Sequence, residues 1–276
     1  MSDDLVFPLP PRRRVEGRVS GTMRSRARGP GFDLAGSRPY RTGDDVRRID
    51  WRASARLSSV RDDDEFVVRE HLTEESTRVV VVTDRSPSMA LFPPGFPWLS
   101  KPAAVAEAEA LITGSARVAG CPVGGVTLRD GEGLEEGLSA LSGSERRLPP
   151  GTLVFLLSDF LRPPGDESFA EALAHGWDVV AIVVQDPLWE QSFPDVAGAV
   201  LPLADPASGR LARVRLTRSE ASARRDEHRR RLAGILARCE ALGLDWALVS
   251  SHERGDVLEA LLDWSHGRHQ GARLVR

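Results

Sequence analysis

Residues 77–84 read TRVVVVTD, and the chain continues over residues 85–89 as RSPSM. Four consecutive valines are typical of a strand that is buried on both faces, as in the centre of a parallel sheet. An Asp directly after such a strand, followed by two Ser residues at a spacing of two, forms the pattern DxSxS at Asp84, Ser86 and Ser88. The stretch therefore predicts a central strand with a polar site at its carboxyl end.

The rest of the chain alternates between apolar runs and helical segments. The runs TLVFLLSD and WDVVAIVV predict two more buried strands, at residues 152–159 and 177–184. The other predicted strands cover residues 65–72, 122–128, 197–203, 211–216 and 245–250. The predicted helices cover residues 101–118, 133–142, 166–175, 217–242 and 254–266. This alternation predicts an α/β fold, a doubly wound and mostly parallel sheet with helices on both faces.

A second polar pair, Ser158 and Asp159, ends the strand predicted at residues 152–159. Parallel strands place their carboxyl ends at one edge of the sheet, so we expect Asp84 and Asp159 at the same edge. Carboxylate and hydroxyl oxygens suit Mg²⁺ or Mn²⁺, and the candidate metal ligands are therefore Asp84, Ser86, Ser88 and Asp159. Asp and Ser after a strand are also common turn formers and helix N-caps, so a purely structural role stays open.

The composition argues against several classes of protein. The chain has 276 residues, 41% of them hydrophobic, enough for one large α/β domain with a small appendage or for two compact domains. No apolar stretch approaches the roughly 20 residues that cross a bilayer, and residues 1–20 lack the apolar centre of a secretory signal. Cys121 and Cys239 form no zinc motif, and we expect both in the core. The sequence contains no GxxxxGK, GxSxG or HExxH motif.

The net charge of −3 is unevenly distributed. Residues 1–60 contain 13 Arg against 7 Asp and Glu, a local charge of +6, so the remainder carries −9. Few aromatic residues are interleaved with this basic segment, and we therefore expect intramolecular pairing with the acidic remainder and not nucleic-acid binding. Lys101 is the only lysine in the chain.

Two sets of motifs resemble known families. The DxSxS pattern together with SDF at residues 158–160 resembles the von Willebrand factor type A domain, a doubly wound Rossmann-like sheet with a metal-ion-dependent adhesion site. Residues 36–57, GSRPYRTGDDVRRIDWRASARL, closely resemble the hallmark segment of the bacterial family called domain of unknown function fifty-eight. That resemblance extends over about residues 36–268. The matched hallmark residues are Gly36, Arg38, Tyr40, Gly43, Asp44, Arg47, Ile49, Asp50, Trp51, Ala53, Ser54, Ala55 and Arg56.

The resemblance implies a cytoplasmic protein, usually encoded beside a MoxR-type AAA+ ATPase, with the pair acting in chaperone-like assembly or maturation of client proteins. It also implies that Asp84, Ser86 and Ser88 form the first metal-binding loop and that Asp159 belongs to the third. The second loop of such a site normally supplies a Thr, but residues 129–151 contain none. Either Ser142 or Ser144 substitutes, or a water fills the position, or the loop is degenerate. Arg85 also places a cation inside the first motif.

The hallmark segment allows two interpretations. Its Asp and Arg residues interleave around Tyr40 and Trp51, which predicts an ion-pair cluster bracing the N-terminal part against the main domain. The same residues could form a docking surface for a partner. The candidate partner-binding residues are Arg38, Tyr40, Asp44, Arg47, Asp50, Trp51 and Arg56.

The predicted organisation has four parts. A partly ordered basic arm covers residues 1–35, and a β-containing segment that begins with the hallmark segment covers residues 36–73. A von Willebrand type A-like domain covers residues 74–268, and a tail covers residues 269–276. The leading functional hypothesis is a non-enzymatic module that binds a MoxR-type AAA+ ATPase or its client through a divalent ion. One alternative is a metal-assisted hydrolase that uses the same carboxylates. Another is a structural module with a degenerate metal site.

Overall fold

A computed structural model of the chain describes residues 5–11, 24–40, 49–52, 54, 66–74, 77–91, 99–144, 148–205 and 210–274. The chain forms two compact units. One consists of residues 14–77, and the other combines residues 1–13 with residues 78–276.

The unit of residues 14–77 contains an antiparallel strand pair. Strand β1 covers Arg24–Pro39 and strand β2 covers Val67–Glu74. Strand β2 corresponds to the strand predicted at residues 65–72. Strand β1 begins inside the segment predicted as an arm, because its pairing with a distant strand satisfies a Gly- and Arg-rich backbone that shows no local periodicity.

The larger unit is built on a five-stranded parallel sheet, as the apolar runs predicted. Its strands, in chain order, are β3 (Val79–Thr83), β4 (Val123–Val126), β5 (Leu153–Ser158), β6 (Asp178–Val184) and β9 (Asp245–Val249). Their order across the sheet is β4-β3-β5-β6-β9, and every neighbouring pair is parallel. All residues of β5 and β6 are buried, which explains their continuous apolar sequence. A separate antiparallel pair consists of β7 (Val200–Ala204) and β8 (Leu211–Arg215).

Helices cover both faces of the parallel sheet, which confirms the predicted doubly wound α/β class. They are α1 (Lys101–Val118), α2 (Leu134–Ser142), α3 (Asp166–Ala174), α4 (Arg218–Ala241) and α5 (Arg254–Leu274). Helices α2, α3 and α4 pack on the sheet face that carries Val80 and Val82. Helices α1 and α5 contact each other on the opposite face, where Trp264 of α5 meets Phe155 of β5.

Local sequence explains where some helices begin and end. Helix α4 starts at the predicted capping box, in which the Glu220 amide donates to the Thr217 hydroxyl and the Thr217 amide donates to the Glu220 carboxylate. Helix α5 continues past the predicted end at residue 266 to Leu274. Both cysteines are buried, as predicted. Within the described residues, no helix is both long and apolar enough to cross a membrane.

Residues 5–11 belong to the larger unit and pack on α1 and α5. The Phe7 amide donates to the hydroxyl of Ser115 in α1, and the Phe7 ring meets Trp264 of α5 edge to face. The Ser265 hydroxyl donates to the Pro8 carbonyl. The guanidinium of Arg268 donates to the Pro10 carbonyl, so this segment is held to α5 at several points.

Candidate functional site

The predicted site lies at the carboxyl ends of β3 and β5, two adjacent strands at the centre of the sheet. In chain order the five strands run 2-1-3-4-5 across the sheet, so the order reverses between β3 and β5. Chain segments leaving two such strands diverge to opposite sides, and ligands of doubly wound sheets bind in the crevice that results. The topology therefore favours this edge as the functional site.

Asp84 lies directly after β3 and joins the two strands. Its amide donates to the Leu157 carbonyl at 2.9 Å. Its Oδ1 accepts a hydrogen bond from the Ser86 amide at 2.7 Å, and its Oδ2 accepts one from the Ser158 hydroxyl. The hydroxyls of Ser86 and Ser88 lie 3.1 Å apart, at the start of a short 3₁₀ helix over Pro87–Ala90. The first loop therefore contributes one carboxylate and two hydroxyls, and Ser158 at the end of β5 adds a third hydroxyl, all of them buried.

Hydrogen-bond dipoles from Ser86 and Ser158 hold the Asp84 carboxylate. Within the described part of the chain it makes no ion pair. Burial raises its pKa above the ordinary value, although the hydrogen bonds from Ser158 and Ser86 oppose that rise. The nearby Asp159 charge adds a smaller contribution in the same direction. A cation at this position would relieve the unfavourable burial of charge.

Asp159 lies at the same edge, but its carboxylate is already engaged. Its Oδ1 accepts from the Leu161 amide at 3.0 Å, and its Oδ2 pairs with the Lys101 ammonium at 2.9 Å. The next residue, Phe160, has a φ of 53°, in the left-handed region that non-glycine residues rarely adopt. This turn lets the Phe160 amide donate to the Ser158 hydroxyl at 3.0 Å. Strain of this kind is often found at functional sites.

Lys101 is a residue of the site that sequence reasoning missed. Only 1% of its side chain is exposed, and besides Asp159 it pairs with Glu190 at 2.6 Å. Burial raises the pKa of Glu190, and the charge of Lys101 opposes that rise. The other Glu190 oxygen accepts from the Asp186 amide at 2.9 Å. The signals available in the sequence were that Lys101 is the sole lysine and that it begins a helix after a strand-end loop.

The loop opposite Asp84 offers no hydroxyl. The Arg85 amide donates to the Glu132 carbonyl at 3.0 Å, so residues 131–133 run beside the first loop. A Cβ built on Gly133 would lie 3.8 Å from Asp84 Oδ1, and glycine supplies no ligand there. Ser142 ends α2, roughly 13 Å along the helix from Gly133, and therefore does not replace the missing Thr.

The donors present fit a hard divalent ion. They are one carboxylate, from Asp84, and the hydroxyls of Ser86, Ser88 and Ser158. Mg²⁺ commonly takes one or two carboxylates and keeps several waters, so it does not need a cage of protein ligands. Among the described residues, no group of three or more His, Cys, Asp or Glu side chains is arranged to hold a metal.

The hallmark segment is described only in part. Asp50 organises it locally: its side chain accepts from the Arg52 amide at 3.1 Å, and the Ser54 hydroxyl bridges the Asp50 carbonyl and the Val67 amide. The Tyr40 amide donates to the Phe66 carbonyl at 2.7 Å. Arg38 belongs to β1. Asp44, Arg47 and Arg56, which the sequence also nominated for partner binding, lie outside the described residues.

Trp51 is exposed on the hallmark segment. Its side chain is 63% exposed, and its ring meets that of Phe66, itself 43% exposed, at a centroid distance of 5.9 Å. Exposed aromatic pairs are common contact points in protein interfaces. Of the nominated residues that the structure describes, Trp51 therefore offers the clearest surface for a partner.

The sequence matches the family described as "Protein of unknown function DUF58" over residues 36–134 and again over residues 129–233. No curated protein matches it. A solved structure that is similar is the crystal structure of the conserved hypothetical protein BatB from Bacteroides thetaiotaomicron. It shares 12% sequence identity and a TM-score of 0.34, over 71% of this chain and 100% of that chain. The family matches include the hallmark segment, the DxSxS loop and Asp159.

Proposed function

The chain belongs to the DUF58 family of proteins of unknown function, and from this premise we propose that it is a non-enzymatic module that binds a partner protein through a divalent ion. Asp84, Ser86 and Ser88 would hold the ion, with Ser158 beside them. Asp159 lies at the same edge but pairs with Lys101, so we leave it outside the set of direct ligands. The observation that carries the proposal is a buried Asp84 carboxylate surrounded by hydroxyls at the switch point of the sheet.

The ion would supply an open coordination position for an oxygen ligand from the partner. The residues of this chain restrict which ligand fits. Arg85 follows Asp84 directly and is exposed, and within the described residues it makes no ion pair. A positive side chain at the rim favours an approaching carboxylate over a neutral group. We therefore propose an acidic side chain of the partner as the group that binds here.

The resemblance of the DxSxS and SDF motifs to von Willebrand type A domains supports an adhesion-type use of the site. The resemblance of the hallmark segment suggests which partner to try first, a MoxR-type AAA+ ATPase or one of its clients, in chaperone-like assembly in the cytoplasm. Trp51 and Phe66 would provide a second contact surface for the same partner.

A second candidate is a structural module whose site needs no ion. Gly133 favours it, because this residue runs beside Asp84 and has no hydroxyl to offer a metal. The ion pair between Lys101 and Asp159 favours it too, because a resident ammonium already neutralises one carboxylate. The two candidates differ in whether metal changes stability and binding.

The first test measures the melting temperature of the whole chain in Mg²⁺ and in EDTA. We expect Mg²⁺ to raise the melting temperature of the wild type and to leave Asp84→Asn unchanged. In EDTA we expect Asp84→Asn to melt at or above the wild-type temperature, because it removes a buried charge while keeping the shape of the side chain. Asp130→Asn, a change to an exposed carboxylate on the neighbouring loop, is the matched control and should keep the Mg²⁺ response.

The second test is a pull-down of a MoxR-type AAA+ ATPase from the same organism. Capture in Mg²⁺ that is lost both in EDTA and with Asp84→Asn supports the ion-dependent module. Capture that persists in both cases supports the structural module. A wild type whose melting is indifferent to Mg²⁺, Mn²⁺ and EDTA removes the ion from the proposal.

A further inference from the structure

Lys101 is unusual for a lysine because it is buried at the site edge. The chain has no other lysine, and this one lies at the first residue of α1 with 1% of its side chain exposed. Buried lysines are rare unless a negative charge accompanies them. Here two carboxylates do, those of Asp159 and Glu190, at 2.9 and 2.6 Å.

The Lys101 ammonium is anchored by Glu190 as well as by Asp159. Glu190 holds it, and the second oxygen of Glu190 is fixed by the Asp186 amide. The Asp186 carboxylate in turn accepts from the amides of Leu99 at 2.7 Å and Trp189 at 2.8 Å. Lys101 is therefore held by a hydrogen-bonded network whose parts come from the loop before α1 and the loop after β6.

Asp159 is also fixed through its main chain. Its carbonyl accepts from the Gln185 side-chain amide at 2.6 Å, and its Oδ1 is occupied by the Leu161 amide. The oxygen that remains for a cation is Oδ2, and Lys101 already contacts it. A divalent ion beside Asp84 and the Lys101 ammonium would therefore compete for the same carboxylate.

We propose that Lys101 is a resident cation that competes with the divalent ion for Asp159 and so keeps Asp159 out of direct coordination. This inference rests on the proposed function, because it concerns the charge that the ion meets. Lys101 acts as a positioning residue, because it sets whether the Asp159 carboxylate is open to the ion. With Lys101 in place, Oδ2 of Asp159 is occupied by the ammonium and the ion is left with the Asp84 carboxylate. Without Lys101, both carboxylates are open to the ion.

The experiment measures the affinity for Mn²⁺ by calorimetric titration in a cycle of variants of the whole chain. In the wild type, Asp159→Asn should change the affinity by less than about threefold, while Asp84→Asn should abolish binding. The double variant Lys101→Met with Glu190→Gln keeps the net charge and frees Asp159 from its ammonium. This variant should bind Mn²⁺ on the order of tenfold more tightly than the wild type. Adding Asp159→Asn to it should return the affinity to the wild-type level.

If Lys101 has only a structural role, the double variant should change in thermal stability, but its affinity for Mn²⁺ should neither rise nor depend on Asp159. Circular dichroism and the metal-free melting temperature establish that each variant folds. If the double variant does not fold, Asp159→Asn in the wild-type background decides alone, because it preserves the size of the side chain. The inference is overturned if Asp159→Asn weakens Mn²⁺ binding as much as Asp84→Asn does, or if a folded double variant binds no more tightly than the wild type.

Failure of the inference can be told apart from failure of the proposed function. A wild type that binds no Mn²⁺ together with a double variant that does bind it would overturn the ion-dependent module. The same result would support Lys101 as the cation that occupies the place of the metal. If the wild type binds Mn²⁺ and the double variant binds it no more tightly, the ion-dependent module stands and the proposed role of Lys101 is overturned.

Discussion

At the scale of single residues, local geometry brings the residues of the first loop together, and tertiary contacts bring the charges to it. The DxSxS pattern of Asp84, Ser86 and Ser88 falls within the six residues that follow the run of valines, so the proximity of these side chains follows from local geometry. Lys101 pairs with residues 58 and 89 positions away, Asp159 and Glu190, and no local pattern reports such a partnership. The missing second-loop Thr was visible in the sequence, but only the fold showed that Gly133 lies beside Asp84.

A residue-scale prediction concerns His228. Its pKa is lowered below the ordinary value of 6.5, first by burial and then by the charge of Arg231, while hydrogen bonds to the Ser192 and Trp189 carbonyls oppose the shift. The unfolded chain therefore takes up a proton near pH 6.5 before the folded chain does, and stability is lost as the pH falls below that value. Below that pH, we expect the free energy of unfolding of the wild type to fall by up to about 1.4 kcal/mol per pH unit more than that of His228→Gln.

Urea unfolding at about pH 7.5 and about pH 5.5 measures the difference, since histidine changes charge between these values. Equal losses in the wild type and in His228→Gln would show that His228 has the same proton affinity in both states.

At the scale of elements, periodicity and capping predicted most strands and helices to within a few residues. The all-buried strands β5 and β6 were clear because no polar residue interrupts them. The predicted end of α5, at residue 266, was wrong, because the helix runs to Leu274. Residues 265–274 contain Gly267 and Gly271 and lose the apolar period, but tertiary contacts of Arg268 and Ser265 keep the helix going. The long strand β1 was missed for a related reason, because its pairing is nonlocal.

An element-scale prediction concerns the contact between α2 and β3. A methyl group on Gly137 of α2 would overlap the buried side chain of Val82, whose branched Cβ cannot move aside easily. We expect Gly137→Ala to lower the free energy of unfolding by about 1–3 kcal/mol, although Ala favours helix. Gly234→Ala in α4 is the matched control. Open space surrounds that position, so the change should stabilise the protein by about 0.5–1 kcal/mol.

Chemical denaturation of both glycine variants provides the comparison. Stabilisation by both substitutions would mean that α2 can move away from β3 at little cost.

At the scale of the larger unit, the sequence predicted the fold class but not the order of the strands. Alternating strands and helices allow several windings of a parallel sheet, and only the structure places β3 between β4 and β5. That order puts Asp84 and Ser158 within hydrogen-bonding distance. The position of residues 5–11 on α1 and α5 was also beyond a sequence argument, because its hydrogen bonds link residues more than a hundred positions apart.

A prediction at this scale concerns Arg268, which ties three parts of the larger unit together. It forms a two-pronged ion pair with Asp178 at 2.6 and 2.8 Å, pairs with Asp245, donates to the Pro10 carbonyl and lies over the Trp264 ring. Its side chain is buried, so Arg268→Met leaves two carboxylates without this partner. We expect the free energy of unfolding to fall by about 3–5 kcal/mol.

The matched control is Arg254→Met, on the same helix as Arg268, which breaks an exposed ion pair with Glu107 of α1. It should cost less than about 1 kcal/mol. Urea unfolding of the two variants measures both values, and similar losses would show that burial of the Arg268 cluster adds nothing.

The attachment of residues 5–11 has a consequence for how the protein acquires its native state. The Ser265 hydroxyl meets the Pro8 carbonyl across 257 positions of the chain, and Arg268 meets Pro10 across 258. Contacts of such wide separation close the largest loops and carry the highest entropic barrier, so they form after local structure. We therefore expect residues 5–11 to pack on α1 and α5 late in folding, after the parallel sheet has formed.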